Sequence, residues 1–178
     1  AGMGGRVGLK GTDGVFEKAV ELGAKPIAAQ KAEDMLKEFL KYYSKKNSIQ
    51  WFTCQDEMGN NELLKSGIKT AKIVYKPSDQ NTSSEDTKKA CKEFLRLNLD
   101  LIVFCGGDGT ARDIFKIIDK KIPLLGIPSG VKMHSGVFGI NTTATAKMLH
   151  EFINNSLTVG DVEIMDLDEK LYRKGEWN

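Results

Sequence analysis

The sequence predicts an α/β fold, built on an open and mostly parallel Rossmann-like sheet with helices on both faces. Segments with helical spacing alternate with short apolar segments through the first 158 residues, as repeated strand–helix units require. The segments at 99–105 and 123–128 are almost continuously apolar, which indicates strands that are covered on both faces. A glycine-rich sequence, GGDGT at 106–110, joins the first of these strands to a helix.

The elements are predicted in order along the chain. Helices are expected at 15–23, 31–46, 60–65, 82–97, 110–118 and 142–155, where apolar residues recur every three or four positions. Strands are expected at 49–54, 70–75, 99–105 and 123–128, where β-branched, aromatic and aliphatic residues are concentrated. Hydroxyl residues precede acidic ones at 82–86, and Asn141 precedes the last helix, as helix N-termini favour.

The character of the sequence changes near residue 159. Apolar and acidic residues alternate over 159–167, which predicts an antiparallel strand with one face in solvent. We therefore predict a nucleotide-binding α/β domain at 1–158 and the beginning of a β-rich C-terminal domain at 159–178. The chain opens in a glycine-rich loop and closes at 174–178 without the natural end of an element, so we expect it to be a piece of a longer protein.

Composition excludes several classes of function. The formal charge of +2 is too small to argue for nucleic acid or an anionic membrane as a partner. No apolar run approaches the roughly 20 residues that span a bilayer, and no signal peptide opens the chain. Cys54, Cys91 and Cys105 form neither a CxxC pair nor a metal-binding spacing, so we expect reduced thiols in a cytoplasmic protein.

The GGDGT sequence is the strongest candidate for a functional site. Ligands of open α/β sheets bind at the carboxyl ends of the strands, where this sequence lies. Its glycines permit a sharp turn and a close approach of the backbone, and the N–H groups of the following helix suit a phosphate. A carboxylate at Asp108 conflicts with phosphate binding unless it holds Mg²⁺ or accepts a proton from a hydroxyl nucleophile. The alternative is that Asp108 only caps its own helix.

A second loop follows the strand at 123–128, at the same edge of the sheet. Lys132 suits a polyphosphate chain, and His134 is either a ligand contact or a structural residue. The hydroxyl groups of Ser129 and Ser135 either donate hydrogen bonds to phosphate or belong to turn residues. Arg112 is either a phosphate contact or a surface residue of its helix. The candidate phosphate- and nucleotide-binding residues are Gly106, Gly107, Gly109, Thr110, Arg112, Ser129, Gly130, Lys132, His134 and Ser135.

Three blocks of the sequence resemble one known family. Glu85-Asp86-Thr87, Ala90, the apolar strand and the GGDGT sequence resemble the superfamily of ATP–NAD kinases, diacylglycerol kinases and sphingosine kinases. The blocks at 126–138 and 1–14 resemble a mainly archaeal and bacterial group of ATP–NAD kinase-like proteins. The block P-x-G-[TS]-x-N-D, which lipid kinases carry after their second strand, is missing.

The resemblance implies a two-domain kinase that transfers phosphate from ATP or inorganic polyphosphate, with Mg²⁺, to a nucleotide hydroxyl. The leading acceptor is the 2′-hydroxyl of NAD, which gives NADP, and Asp108 is the implied general base. Because related kinases are oligomers, the resemblance also implies a dimer or tetramer. A first strand ahead of the opening glycine loop and most of the second domain are missing from this sequence, so this piece alone is not assured of activity. Two alternatives stay open: a kinase of another small hydroxyl compound such as a lipid or a sugar, and a non-catalytic nucleotide-binding regulator of the same fold.

Overall fold

Helices and parallel strands alternate along the chain, as predicted. The structure, a computed structural model, describes residues 21, 27–43, 48–79, 81–130 and 133–165. The described elements are α1 (Ala28–Tyr42), β1 (Phe52–Cys54), α2 (Asn60–Lys65), β2 (Lys72–Tyr75), α3 (Ser84–Arg96), β3 (Ile102–Gly106), α4 (Asp108–Ile118), β4 (Leu124–Pro128) and α5 (Thr142–Ile153). A short 3₁₀ turn, Asp56–Met58, precedes α2 and was not predicted.

The four described strands form two separate parallel pairs. β1 pairs with β2, and β3 pairs with β4 in continuous register from Ile102↔Leu124 to Gly106↔Pro128. The prediction of an α/β fold with parallel strands is therefore confirmed. A single continuous sheet is not formed by the described strands, because no ladder joins β1 to β3.

The helices lie in two layers around these strands. α1 packs against α2, α5, β3 and β4, whereas α3 packs against α4 and β2. The first layer covers a core that includes Met35, Phe39, Leu125 and Leu149. The second covers a smaller core around Cys91, Ile102, Ile114 and Ile118.

β3 is less buried than its sequence predicts. Ile102 and Gly106 are buried, but Val103, Phe104 and Cys105 are only half-buried. These three residues line a partly open cavity that lies between β3 and β1. The prediction of burial on both faces is thus wrong for the middle of the strand. An apolar sequence indicates that a strand can be buried, but its actual burial depends on which elements pack beside it.

The predicted strand at 159–167 is also not found in its described part. Residues 158–165 have no regular secondary structure and are mostly exposed. A strand needs a ladder of backbone hydrogen bonds, and this segment makes only isolated contacts, such as that from the Gly136 N–H to the Glu163 carbonyl, 2.9 Å. No β-rich second domain is seen in the described residues. The predicted helix at 15–23 lies outside them except for Glu21, and so do residues 166–178.

Candidate functional site

Two loops meet where β3 and β4 end side by side. Gly106 and Pro128, the last residues of the two strands, are register partners. The Ser129 N–H donates to the Gly106 carbonyl at 3.1 Å and carries the pairing one residue further. The two loops that the sequence singles out therefore begin as neighbours at the carboxyl edge of this sheet.

The first loop is shorter than predicted because α4 begins at Asp108 rather than at Thr110. Gly107 is the N-cap residue, with extended backbone angles (φ −122°, ψ −170°), and no side chain of the described residues caps this helix. The first N–H groups of a helix lack intrahelical partners and carry the positive end of its dipole. The N-terminus of α4 is therefore suited to an anion.

The glycines of this turn fall into two kinds. A Cβ on Gly106 would lie 2.6 Å from the Cβ of Thr110, whose side chain folds back over it, so packing within the turn requires glycine there. A Cβ on Gly107 or Gly109 would meet no described atom within 4 Å, and neither residue has a positive φ. The described fold does not itself require glycine at these two positions, but bare backbone there permits a ligand to approach closely.

Asp108 does not cap its own helix. Its carboxylate accepts the N–H of Ser135 at Oδ1 (2.9 Å) and the N–H of His134 at Oδ2 (3.0 Å), so it bridges the first loop to the second. His134 is exposed, whereas Ser135 is buried. Of the roles that the sequence left open, the local cap is therefore excluded in this structure, and the carboxylate is held at the junction of the two loops.

The side chain of Ser135 faces away from this junction. Its hydroxyl accepts the N–H of Met165 at 3.0 Å, and the residue is 5% exposed. Ser135 thus links Asp108, through its backbone, to the segment at 163–165, through its side chain. From the sequence we predicted that the Ser135 hydroxyl donates a hydrogen bond to phosphate. In the structure this hydroxyl has a protein partner, the Met165 N–H.

The other residues of the second loop have different surroundings. Ser129 is 1% exposed, and its hydroxyl has no hydrogen-bond partner among the described residues. Burial raises the pKa of the Cys105 thiol to about 12, and the nearby Ser129 hydroxyl opposes that rise. The contact between the two groups lacks hydrogen-bond geometry. The Gly130 N–H points to the Met133 sulfur at 3.2 Å. Lys132 lies outside the described residues.

Arg112 lies in the second turn of α4, on the side that faces α3. Its Nε is 3.7 Å from Asp113 Oδ1, and its side chain is 24% exposed. The pKa of Lys88 on α3 is raised chiefly by a hydrogen bond to Glu85, and the charge of Arg112 opposes that rise. The structure therefore places Arg112 near Lys88 and Asp113.

An aromatic contact that the sequence analysis missed positions the second loop. Phe138 packs edge-to-face on Phe104, with ring centroids 5.4 Å apart, and its ring lies directly over Gly126. The Gly126 N–H donates to the Val137 carbonyl at 2.8 Å, and its carbonyl accepts the Gly139 N–H at 3.1 Å. The loop thus returns along the edge of β4. Glycine inside an apolar strand was the available signal, since it often marks a close approach.

A shallow cavity of about 380 Å³ lies beside Ser135. Its lining includes Pro128, Met133, Phe138 and Ile140, and Ile140 is 92% exposed. No group of three His, Cys, Asp or Glu residues among the described positions could hold a metal ion. Within the same residues, no helix is long and apolar enough to cross a membrane.

Comparison with known proteins identifies the family of the chain. The family model of the ATP-NAD kinase N-terminal domain matches residues 20–157. Searches of curated proteins and of solved structures found no match to the chain. Because the family model covers most of the sequence, the chain belongs to the ATP-NAD kinase family, whose members are phosphotransferases of the NAD kinase type.

Proposed function

We propose that this chain is the nucleotide-handling part of a kinase that transfers phosphate from ATP or polyphosphate to the 2′-hydroxyl of NAD. Family membership supports phosphoryl transfer of this type. The observation that carries the proposal is the open turn at Gly107 and Gly109, which has no capping side chain in the described part of the chain and lies beside a fixed carboxylate. A turn that served only the fold would have no need of bare backbone at both glycines.

The donor's phosphates would lie against the first turn of α4. Their oxygens would accept the free N–H groups there, and the helix dipole would favour their charge. Ser129 and Gly130, at the end of the neighbouring strand, and Lys132, beyond the described residues, complete the proposed phosphate side. Positioning and charge neutralisation supply most of the acceleration in phosphoryl transfer.

Asp108 would accept the proton of the attacking hydroxyl. An ionised carboxylate has about four lone-pair positions, and two backbone N–H donors do not exhaust them. The same two bonds fix the orientation of the carboxylate, which favours a productive geometry. General-base catalysis of this kind contributes about 10²–10⁴ in rate.

Mg²⁺ would enter with the phosphates. It commonly binds through one or two carboxylates together with substrate phosphates, and Asp108 is a carboxylate at this edge. When bound, Mg²⁺ would neutralise charge on the transferred phosphoryl group. The protein residues would bind the phosphates, orient the acceptor and hold its proton.

The carboxylate also separates this proposal from a binding-only protein of the same fold. A site that only binds phosphates gains nothing from a negative charge beside them, so Asp108 favours turnover. A lipid acceptor is disfavoured by the missing lipid-kinase sequence block, although the sequence leaves sugars and other hydroxyl compounds open.

Asp108→Asn in the full-length protein tests the role of the carboxylate. We expect a loss of about 10²–10⁴ in the rate of phosphoryl transfer. We also expect a lower melting temperature, because the asparagine side chain has one acceptor oxygen for the two N–H groups that Asp108 accepts. Asp119→Asn is the matched control because it removes the same charge from the other end of α4, at a residue with φ of 52° that asparagine tolerates. Transfer at the original rate in Asp108→Asn would falsify the general-base assignment.

The substrate is tested separately. ATP and polyphosphate are each paired with NAD, NADH, diacylglycerol and simple sugars, with and without Mg²⁺, and product formation is followed. We expect NADP from NAD only with Mg²⁺ present. Absence of any phosphorylated product would overturn the kinase proposal, and sedimentation of the same sample tests the expected dimer or tetramer.

A further inference from the structure

The irregular segment at 161–165 is bound to the second loop of the candidate site. Two backbone N–H groups make the connection: Gly136 donates to the Glu163 carbonyl at 2.9 Å, and Met165 donates to the Ser135 hydroxyl at 3.0 Å. One bond is donated by the loop and the other by the segment, so the two stretches are attached at adjacent loop residues. A segment without regular secondary structure is therefore fixed at one place, beside the proposed site.

Side-chain packing supports the same attachment. A Cβ on Gly136 would lie 2.9 Å from the Cβ of Val162, so the Val162 side chain occupies the space that a larger residue at 136 would need. At the beginning of the segment, the Lys120 ammonium lies 2.7 Å from the Asp161 carboxylate. Both side chains of this ion pair are exposed, and exposed pairs contribute little to stability. We therefore expect the contacts at 135 and 136 to fix the segment more firmly than the ion pair does.

Ser135 uses its backbone for one partner and its side chain for another. Its N–H donates to Asp108 Oδ1 at 2.9 Å, and its hydroxyl accepts the Met165 N–H. Because the residue is buried, water does not readily replace either partner. A shift of the segment would therefore move Ser135, and with it one of the two N–H groups that hold the carboxylate.

The sheet anchors only the later part of this loop. From Val137 onward, backbone bonds and an aromatic contact tie the loop to β3 and β4. Residues 134–136 precede these anchors, and among the described residues their hydrogen bonds lead either to Asp108 or to the segment at 163–165. The segment is therefore the described element that can hold these three residues against the carboxylate.

We propose that Ser135 is a positioning residue for phosphoryl transfer, through which the segment at 161–165 sets the orientation of the Asp108 carboxylate. This inference rests on the proposed function, in which Asp108 accepts the proton of the attacking hydroxyl. The rate of such a step depends steeply on geometry, since a misplacement of about 1 Å can cost about 10²-fold. Ser135 acts through Asp108 and not by contact with phosphate, in keeping with the Met165 partner of its hydroxyl.

Two variants loosen the segment at different atoms. Ser135→Ala removes the hydroxyl that accepts the Met165 N–H but keeps the N–H that Asp108 accepts. Gly136→Ala leaves Ser135 unchanged and places a Cβ against Val162. In the full-length protein we expect each variant to lower kcat about tenfold and to leave the KM of the phosphoryl donor within about twofold, because the lost interaction matters only in the transition state.

Ser156→Ala is the matched control for the first variant. It makes the same chemical change at an exposed serine after α5, whose hydroxyl lies 3.5 Å from the Asn154 carbonyl. We expect its kcat to stay within about twofold of wild type, since surface substitutions of this kind have small effects. A higher donor KM with unchanged kcat in Ser135→Ala would mean that the hydroxyl binds phosphate directly, and it would overturn the proposal.

A double variant separates positioning from a purely structural role. If Ser135 acts through the carboxylate, Ser135→Ala should have no further effect in the Asp108→Asn background, because residues that act as a unit have non-additive effects. We expect the double variant to transfer phosphate at the rate of Asp108→Asn alone, within about twofold. A further loss of about tenfold in the double variant would overturn the proposal.

Hydrogen exchange gives a readout that does not depend on kinase activity. The amides of His134 and Ser135 donate to Asp108, so their exchange rates measure how firmly the carboxylate is held. We expect the His134 amide and the amide at position 135 to exchange about tenfold faster in Ser135→Ala and Gly136→Ala than in Ser156→Ala. If the wild type phosphorylates no acceptor, the proposed function fails, and exchange still decides whether the segment holds the carboxylate. Unchanged exchange in both variants would contradict the inference.

Discussion

The N-termini of α3 and α4 both carry an aspartate, yet one carboxylate bonds within its own helix end and the other bonds to a different loop. Asp86, in the third position of α3, accepts the backbone N–H of Ser83 at 2.8 Å and the hydroxyl of Tyr75 at 2.8 Å, while Ser83 accepts a helix N–H in return. Asp108, in the first position of α4, bonds to the second loop instead. One helix end is closed by its own residues, and the other has no side-chain cap from any residue that the structure describes.

Position within the first turn explains the difference. A side chain at the third position can reach back to the N-cap residue and complete a capping box. Asp108, at the first position, makes its bonds across to the neighbouring loop and leaves the N–H groups of α4 available. The closed end stabilises the fold, and the open end is suited to bind a ligand.

The largest expected effect on stability comes from opening the closed end. Asp86→Ala leaves the Ser83 N–H and the Tyr75 hydroxyl without their acceptor in a mostly buried place. We expect the free energy of unfolding to fall by about 1–3 kcal/mol, measured by urea denaturation. Asp79→Ala, in the exposed loop ahead of α3, is the control and should change it little. Equal losses in both variants would show that the cap contributes nothing specific.

The reverse experiment closes the open end. Gly107→Asp and Gly107→Asn both add a capping side chain where there is room for it, and each should stabilise the chain by a few tenths of a kcal/mol (roughly). Only the aspartate repels phosphate. We expect tripolyphosphate to bind Gly107→Asp about tenfold more weakly than Gly107→Asn, a difference of about 1.4 kcal/mol in binding free energy, measured by calorimetry. This difference should shrink in high salt. Equal binding would place the phosphates elsewhere.

A smaller effect separates the two partners of Asp86. Tyr75→Phe removes one hydroxyl and leaves the Ser83 bond in place. We expect a loss of about 1 kcal/mol in the free energy of unfolding. Burial and the bond to Asp86 raise the pKa of Tyr75 to about 12, so spectroscopic titration of this tyrosine checks that the contact exists in solution. An ordinary tyrosine pKa would contradict it.

The smallest effect is a dependence on pH. The Ser83 N–H and then the Tyr75 hydroxyl hold the pKa of Asp86 below its ordinary value. The resulting stabilisation is fully present above the ordinary Asp pKa of about 4 and is lost as the pH falls through the lowered value. The difference in unfolding free energy between wild type and Asp86→Asn should therefore narrow from pH 7 to pH 3. A constant difference over this range would show that the charge of Asp86 does not contribute to the stabilisation.

The cap on α3 was predictable, and the bridge made by Asp108 was not. Ser83 and Asp86 are three residues apart, so their contact is local and the sequence carries its signature. Asp108 and Ser135 are 27 residues apart and meet only because β3 and β4 pair in register. No local pattern could indicate which loop the carboxylate would contact.

The boundaries of elements show the same division. The helices at 84–96 and 142–153 begin where hydroxyl, acidic or asparagine residues predict a cap. The middle of β3 is only half-buried although its sequence is apolar, and the segment at 158–165 is irregular although its residues alternate as in a strand. Both departures concern strands, whose burial and ladders depend on neighbours that are distant in sequence.

The sequence by itself determined the alternation of helices and strands, the position of the glycine turn and the family to which its blocks point, because each follows from residues close together along the chain. Only the tertiary structure decided that Asp108 joins two loops, that the Ser135 hydroxyl accepts the Met165 N–H, and that a partly open cavity lies between β1 and β3. These features depend on strand register and helix packing, which bring distant residues together and which local composition does not encode.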